Sequence, residues 1–143
     1  MKKLKIIIDT NILFTALRSN LGASYKLISL LPSELFDFAV SVPLVVEYED
    51  VLKRSNKLEG ISPEDINDFI DFLVSIAERK KVHYLWRPFL KDPCDDMLVE
   101  LAVASNADAI VTYNKKDFHN VEKIFAVKVI DAKELLKLIG VIK

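Results

Sequence analysis

Residues 4–8 read Leu-Lys-Ile-Ile-Ile and stop at Asp9-Thr10-Asn11. Three consecutive β-branched side chains favour an extended backbone. Apolar groups on both parities leave such a strand no face to give to water. It therefore belongs inside a sheet covered on both sides, which is the condition of a parallel α/β architecture. An acid directly after it would stand at the carboxyl end of an interior strand, the edge where open α/β sheets bind ligands.

The remaining chain keeps the same alternation. Ile12 to Leu17 and Ser24 to Leu31 read as helical pieces broken around Asn20-Leu21-Gly22, and Phe36 to Val42 reads as a second strand. Pro43 suits the first turn of a helix running to Arg54. Ser62, Pro63 and Asp65 form a helix-start signature, with Ile66, Phe69, Ile70, Leu73 and Ile76 at helical spacing and the cations 79–81 at the far end. A short strand is expected over Val82 to Leu85. Met97 to Ser105 is apolar nearly all round and reads as a buried helix. Asp108 to Thr112 and Ala126 to Ile130 are two further strands, and Asp131 caps a closing amphipathic helix. Strands alternating with helices predict an α/β sandwich with a mainly parallel sheet and right-handed crossovers.

With 143 residues, 51% of them hydrophobic, the chain can fill one core, and it is read as a single domain over residues 1–143. No apolar run is long enough for a membrane span or a secretory segment, so a cytoplasmic protein is expected. One cysteine, Cys94, excludes an intramolecular disulfide and a cysteine-built zinc site. Twenty Lys and Arg against 21 Asp and Glu leave a formal charge of −1, so overall charge does not announce a nucleic-acid partner.

Charge must then be read position by position, and the strand ends hold mostly carboxylates. Asp9 ends the first strand. Glu47 follows the second by five residues, Asp95 and Asp96 open the buried helix, and Asn114 and Asp117 follow Thr112. Acids brought to one crevice repel one another unless cations neutralise them, and oxygen donors alone point to Mg²⁺ or Mn²⁺. Each acid also has a plainer reading. Asp9 could cap the next helix, Glu47 could be solvated, Asp95 and Asp96 could complement a helix dipole, and Asp117 could close a surface turn.

Taken together, Ile6-Ile7-Ile8-Asp9-Thr10-Asn11, Ser41-Val42-Pro43-Leu44-Val45-Val46-Glu47, Asp95-Asp96 with Ala102, and Ala109-Ile110-Val111-Thr112-Tyr113-Asn114-Lys115-Lys116-Asp117-Phe118 resemble the successive motifs of PIN-domain nucleases. The likeness is closest to the VapC-like ribonuclease toxins of toxin–antitoxin systems. It implies a three-layer α/β/α sandwich with a five-stranded sheet ordered 3-2-1-4-5, and an acidic pocket for Mg²⁺ or Mn²⁺. Asp9, Glu47 and Asp96 match the family's first three acids, with Asp95 one residue out of register. The fourth falls at Asn114 or Asp117, and only Asp117 is a carboxylate.

On this reading the chain is a metal-dependent endoribonuclease that leaves 5′-phosphate and 3′-hydroxyl ends. Thr10, Asn11 and Thr112 would orient a ligand or water. Arg18, Lys53, Arg54, Lys115 and Lys116 are the candidates for RNA phosphate contacts, and Trp86 and Phe89 for base stacking. His83, His119 and Cys94 receive no role. A cognate antitoxin and a homodimer are implied by the resemblance. Two alternatives are a PIN-like module that binds RNA or a partner without cutting, and a receiver-type phospho-acceptor domain. The latter needs its paired acids after the first strand, where this chain has a lone Asp9.

Overall fold

The computed structural model describes residues 3–54, 58–82, 93–118 and 120–143, with backbone alone for 93 and 94. Its centre is a parallel sheet of five strands: β1 (Leu4–Ile8), β2 (Phe36–Val40), β3 (Glu78–Arg79), β4 (Ala109–Val111) and β5 (Lys128–Ile130). They stand in the order β3-β2-β1-β4-β5, and every paired neighbour is parallel. Helices α1 (Thr10–Arg18), α2 (Ala23–Ser29), α3 (Val42–Arg54), α4 (Pro63–Ile76), α5 (Pro93–Ala104), α6 (Val121–Phe125) and α7 (Ala132–Leu138) complete a three-layer α/β/α sandwich.

The isoleucine run does what its chemistry requires. Ile6, Ile7 and Ile8 are essentially without solvent exposure, and β1 lies in the middle of the sheet between β2 and β4. After β1 the chain turns toward β2 and β3, then crosses back to enter β4 on the other side. The sheet's direction of growth therefore reverses between β1 and β4, and this is the switch point where the strand ends splay into a crevice. Ile8 pairs with Val111, so Asp9 and Thr112, one residue further along each strand, face each other across it.

The Ser62 capping box forms with Asp65, and α4 buries Ile66, Ile70 and Leu73. A second box, Asp131 with Glu134, starts α7. The helix at 97–105 is buried as its composition requires, with Leu98, Leu101 and Ala102 at 2% exposure or less.

Several boundaries differ from the sequence reading. Helix α4 stops at Ile76 instead of continuing through the cations 79–81. Glu78 and Arg79 instead pair with Ala39 and Val40 as the third strand, and the Lys80 amide donates to the Val40 carbonyl at 2.8 Å. A two-residue charged edge strand has no apolar alternation to betray it, because edge strands are protected by charge. The third strand was expected at Val82 to Leu85, of which Val82 is outside any strand and 83–85 lie outside the described residues. The second strand ends at Val40, since Ser41 already caps α3: its hydroxyl accepts from the Leu44 amide at 3.3 Å. A 3₁₀ turn over Lys115–Phe118 and the short helix α6 carry no periodicity long enough to read.

Ile7 sits at the sheet's centre with no exposure. Ile7→Ala is expected to destabilise the fold by about 2–5 kcal/mol, read as a lower midpoint in urea denaturation.

Candidate active site at the switch point

Asp9 occupies the N-cap position of α1, but its side chain makes no capping hydrogen bond. It turns across the crevice instead. The Thr112 hydroxyl donates to Asp9 Oδ2 at 2.7 Å, and Asn11 Nδ2 donates to the same oxygen at 3.3 Å. Thr112 Oγ1 accepts in turn from Asn11 Nδ2 at 3.2 Å and from the Asn114 amide at 3.0 Å. Asn11 Oδ1 accepts from the Tyr113 amide at 3.3 Å. The loops after β1 and β4 are thus stitched by one closed network in which the Thr112 hydroxyl, wholly buried, is both donor and acceptor.

This network has an electrostatic cost. Burial raises the Asp9 carboxyl above its ordinary pKa, the Thr112 hydroxyl and the amides at the start of α1 pull it back, and the charge of Glu47 pushes it up again. Glu47 is half-buried on α3, so its side chain is neither in the core nor in open solvent, and its field reaches Asp9. The phase of α3 is set by Leu44, Tyr48 and Leu52, which are buried and turn the neighbouring Glu49 and Asp50 outward.

Tyr48 has a part in the site that the sequence gave no reason to single out. It is 1% exposed, and its hydroxyl donates to the carbonyl of Ile8. Burial, and then the charge of Asp9, holds the phenol well above its usual range, so it remains a donor. The peptide before Asp9 is fixed on both sides: the Ile8 carbonyl by Tyr48 of α3, and the Asp9 amide by the Val111 carbonyl of β4 at 3.0 Å. The only available clue was a tyrosine at core spacing next to an acid.

Of the paired acids at the start of α5, Asp96 is 1% exposed while Asp95 is half-buried. Helix α5 packs against β1, β2 and β4. Asn114 is exposed. Asp117 is exposed on the 3₁₀ turn, where its amide closes back onto the Asn114 carbonyl at 3.0 Å. Thr10 is buried at the first position of α1.

Among the described residues no group of three or more acid, histidine or cysteine side chains stands together as a ready metal cage. Asp9 lies within the field of Glu47. Two repelling carboxylates beside hydroxyl and amide oxygens suit a hard divalent cation.

Three of the basic candidates are engaged elsewhere. Lys53 pairs with Glu49 at 2.9 Å, Arg54 with Asp50 at 3.5 Å and Lys115 with Glu134 at 2.6 Å. Arg18 lies exposed at the end of α1 and Lys116 exposed on the 3₁₀ turn. His83, Trp86, Phe89 and His119 lie outside the described residues, as does the side chain of Cys94. No described helix is long and apolar enough to cross a membrane.

Two measurements follow from this geometry. Tyr48→Phe keeps the ring but leaves the Ile8 carbonyl buried without its donor, and is expected to cost about 1–3 kcal/mol in chemical denaturation. Because folding raises the Asp9 pKa, its protonated form supports the metal-free fold. That contribution is complete below the unfolded value of about 3.9 and is lost as pH rises through the folded value. In EDTA, the melting temperature of Asp9→Asn should therefore gain on wild type as pH rises from about 4; a constant difference would show that Asp9 is not destabilised by ionisation.

Comparison with known proteins agrees with this architecture. The solved structure of VapBC2 from Rickettsia felis bound to a DNA fragment from its promoter matches at a TM-score of 0.58 and 18% identity, covering 88% of this chain and 97% of that one. VapBC-1 from nontypeable Haemophilus influenzae matches at 0.60 and 17%, covering 91% and 99%. At such identities the likeness shows the fold. No curated protein sequence matches significantly. The family model for the PIN domain matches residues 5–116, a span that holds Asp9, Asn11, Glu47, Asp96, Thr112 and Asn114, and the chain belongs to the PIN domain family.

Proposed function

We propose that the chain is a divalent-metal-dependent endoribonuclease, the toxin half of a toxin–antitoxin pair. The observation that carries this is the carboxylate of Asp9. It declines its capping role, is held by Thr112 and Asn11 at the sheet's switch point, and carries a pKa raised by burial and by Glu47. Such a group is poised for a cation. Both side-chain donors, Thr112 and Asn11, fall on the same oxygen, Oδ2, and so fix the direction of the carboxylate.

Asp9 and Glu47, with Asp96 and the rim residue Asp117, would hold Mg²⁺ or Mn²⁺, and Asp95 would be the alternative to Asp96. When bound, the ion supplies an acidified water and charge neutralisation at a phosphodiester. The protein's own work is orientation. Thr112 and Asn11 fix the Asp9 carboxylate, Tyr48 fixes the peptide that carries it, and Thr10 and Asn114 line the same loops. Asn114 brings no charge, which weakens any second ion beside Asp117. Arg18 and Lys116 are the readiest phosphate contacts. Lys53, Arg54 and Lys115 would exchange exposed ion pairs, which contribute little, for RNA phosphates.

Family membership and the fold shared with VapBC proteins support a cytoplasmic enzyme that forms a homodimer and is restrained by a cognate antitoxin.

The test is to incubate wild type and Asp9→Asn with a mixed RNA pool in Mn²⁺ or EDTA and to sequence the cut ends. Wild type is expected to cut only with the ion. Asp9→Asn should lose more than the roughly 10–100-fold typical of outer-shell changes around a metal. Cleavage in EDTA, or by Asp9→Asn at the wild-type rate, would sink the assignment, and RNA binding without cleavage would make the chain a binding module. Mn²⁺ at about a hundred times its Kd should also stabilise the fold by about 2.7 kcal/mol, seen as a melting-temperature rise that EDTA reverses.

A further inference from the structure

A surface tyrosine ordinarily lays its ring on the core and extends its hydroxyl to water. Tyr113 does the reverse. Its hydroxyl is hydrogen-bonded to that of Ser24 on α2, a residue with no solvent exposure, while Tyr113 itself is 42% exposed. The polar tip is thus tied to a buried hydroxyl while the residue keeps a solvent-facing surface.

The residue lies between Thr112, which holds Asp9, and Asn114, and its own amide donates to Asn11 at 3.3 Å. Both ends of Tyr113 are tied, one to the network at the switch point and the other to α2. Packing of the core does not require an exposed ring at this place. Of the described aromatics that are at least 40% exposed, Tyr25, Phe72 and Tyr113, Tyr113 is the one set between site residues.

We propose that the Tyr113 ring is a stacking platform for one unpaired nucleobase beside the bond that is cut. This rests on the ribonuclease reading and adds a base subsite to it. Aromatic faces take any base, because every base offers a π-face. A ring already fixed in position gives up little conformational entropy when a base settles on it. The site would therefore favour single-stranded RNA, whose bases are free to leave their neighbours, over a duplex.

The experiment compares Mn²⁺-dependent cleavage of a single-stranded oligoribonucleotide with that of the same oligonucleotide carrying abasic positions next to the cut. Tyr113→Leu should raise KM on the intact strand by between about 5- and 150-fold, the range for loss of one base stack, with kcat little changed. Tyr113→Phe keeps the ring and should lose far less. Phe72→Leu, at a comparably exposed aromatic on α4, should match wild type. On the abasic strand wild type should fall to the level of Tyr113→Leu, and the substitution should cost nothing more. Unchanged KM in Tyr113→Leu, or an equal loss on both strands, would overturn the proposal.

If wild type cuts no RNA, the ribonuclease reading fails by itself, and the platform is then tested by binding. Titration of the metal-free protein into an oligonucleotide containing 2-aminopurine should quench its fluorescence in wild type and not in Tyr113→Leu. Absence of quenching in wild type would overturn the stacking proposal.

Discussion

One carboxylate half withdrawn from water, at the end of a strand closed by three buried isoleucines, organises this molecule. A half-buried carboxylate such as Asp9 needs donors to meet it, and in a parallel sheet the strand beside β1 brings one to its end. Register places Thr112 there, and its hydroxyl reaches Asp9 Oδ2. The β1–β4 pairing, the turn into α1 and the loop after β4 all serve that contact. Without it the switch point would hold an ionised group with too little compensation and no defined direction.

The hydrogen bond of Tyr48 extends the same logic to α3. A buried phenol needs an acceptor, and a strand's last carbonyl needs a donor. Pairing them fixes the helix that carries Glu47 against the peptide that carries Asp9. Thus a packing requirement and a site requirement are met by one side chain, and the distance between the two acids is set by the core. The charge of Glu47 is accordingly felt at Asp9. Sites that bind charged species often store such repulsion, because an incoming counter-ion relieves it.

Much of this was legible in the sequence where physics acts locally. The isoleucine run with its terminal acid gave β1 and the position of Asp9, and Ser62-Pro63 with Asp65 gave the start of α4. Partnership between distant residues was less accessible. That Thr112 faces Asp9 follows only once β4 is known to lie beside β1, and that order came from a family likeness, not from periodicity. Tyr48 was not singled out, because its hydrogen bond to Ile8 spans forty residues and leaves no local pattern. Glu78–Arg79 failed as a strand because pairing with β2, and not side-chain alternation, makes it one. Lys53, Arg54 and Lys115 read as candidate phosphate contacts; the i,i+4 spacing of Lys53 to Glu49 and of Arg54 to Asp50 already signals ion pairs, whereas Lys115 meets Glu134 across nineteen residues and leaves no local pattern.

The span shared with the PIN family ends at residue 116, yet the fold does not. Beyond it, β5 supplies the outer neighbour of β4, the Ile130 carbonyl accepts from the Thr112 amide at 2.9 Å, and Glu134 serves both the cap of α7 and Lys115. The last twenty-odd residues are therefore the buttress of the loop that bears Thr112, Tyr113 and Asn114. A fragment trimmed to the recognisable family span would keep Asp9, Glu47 and Asp96 but lose Asp117, together with the abutment that keeps this loop in register.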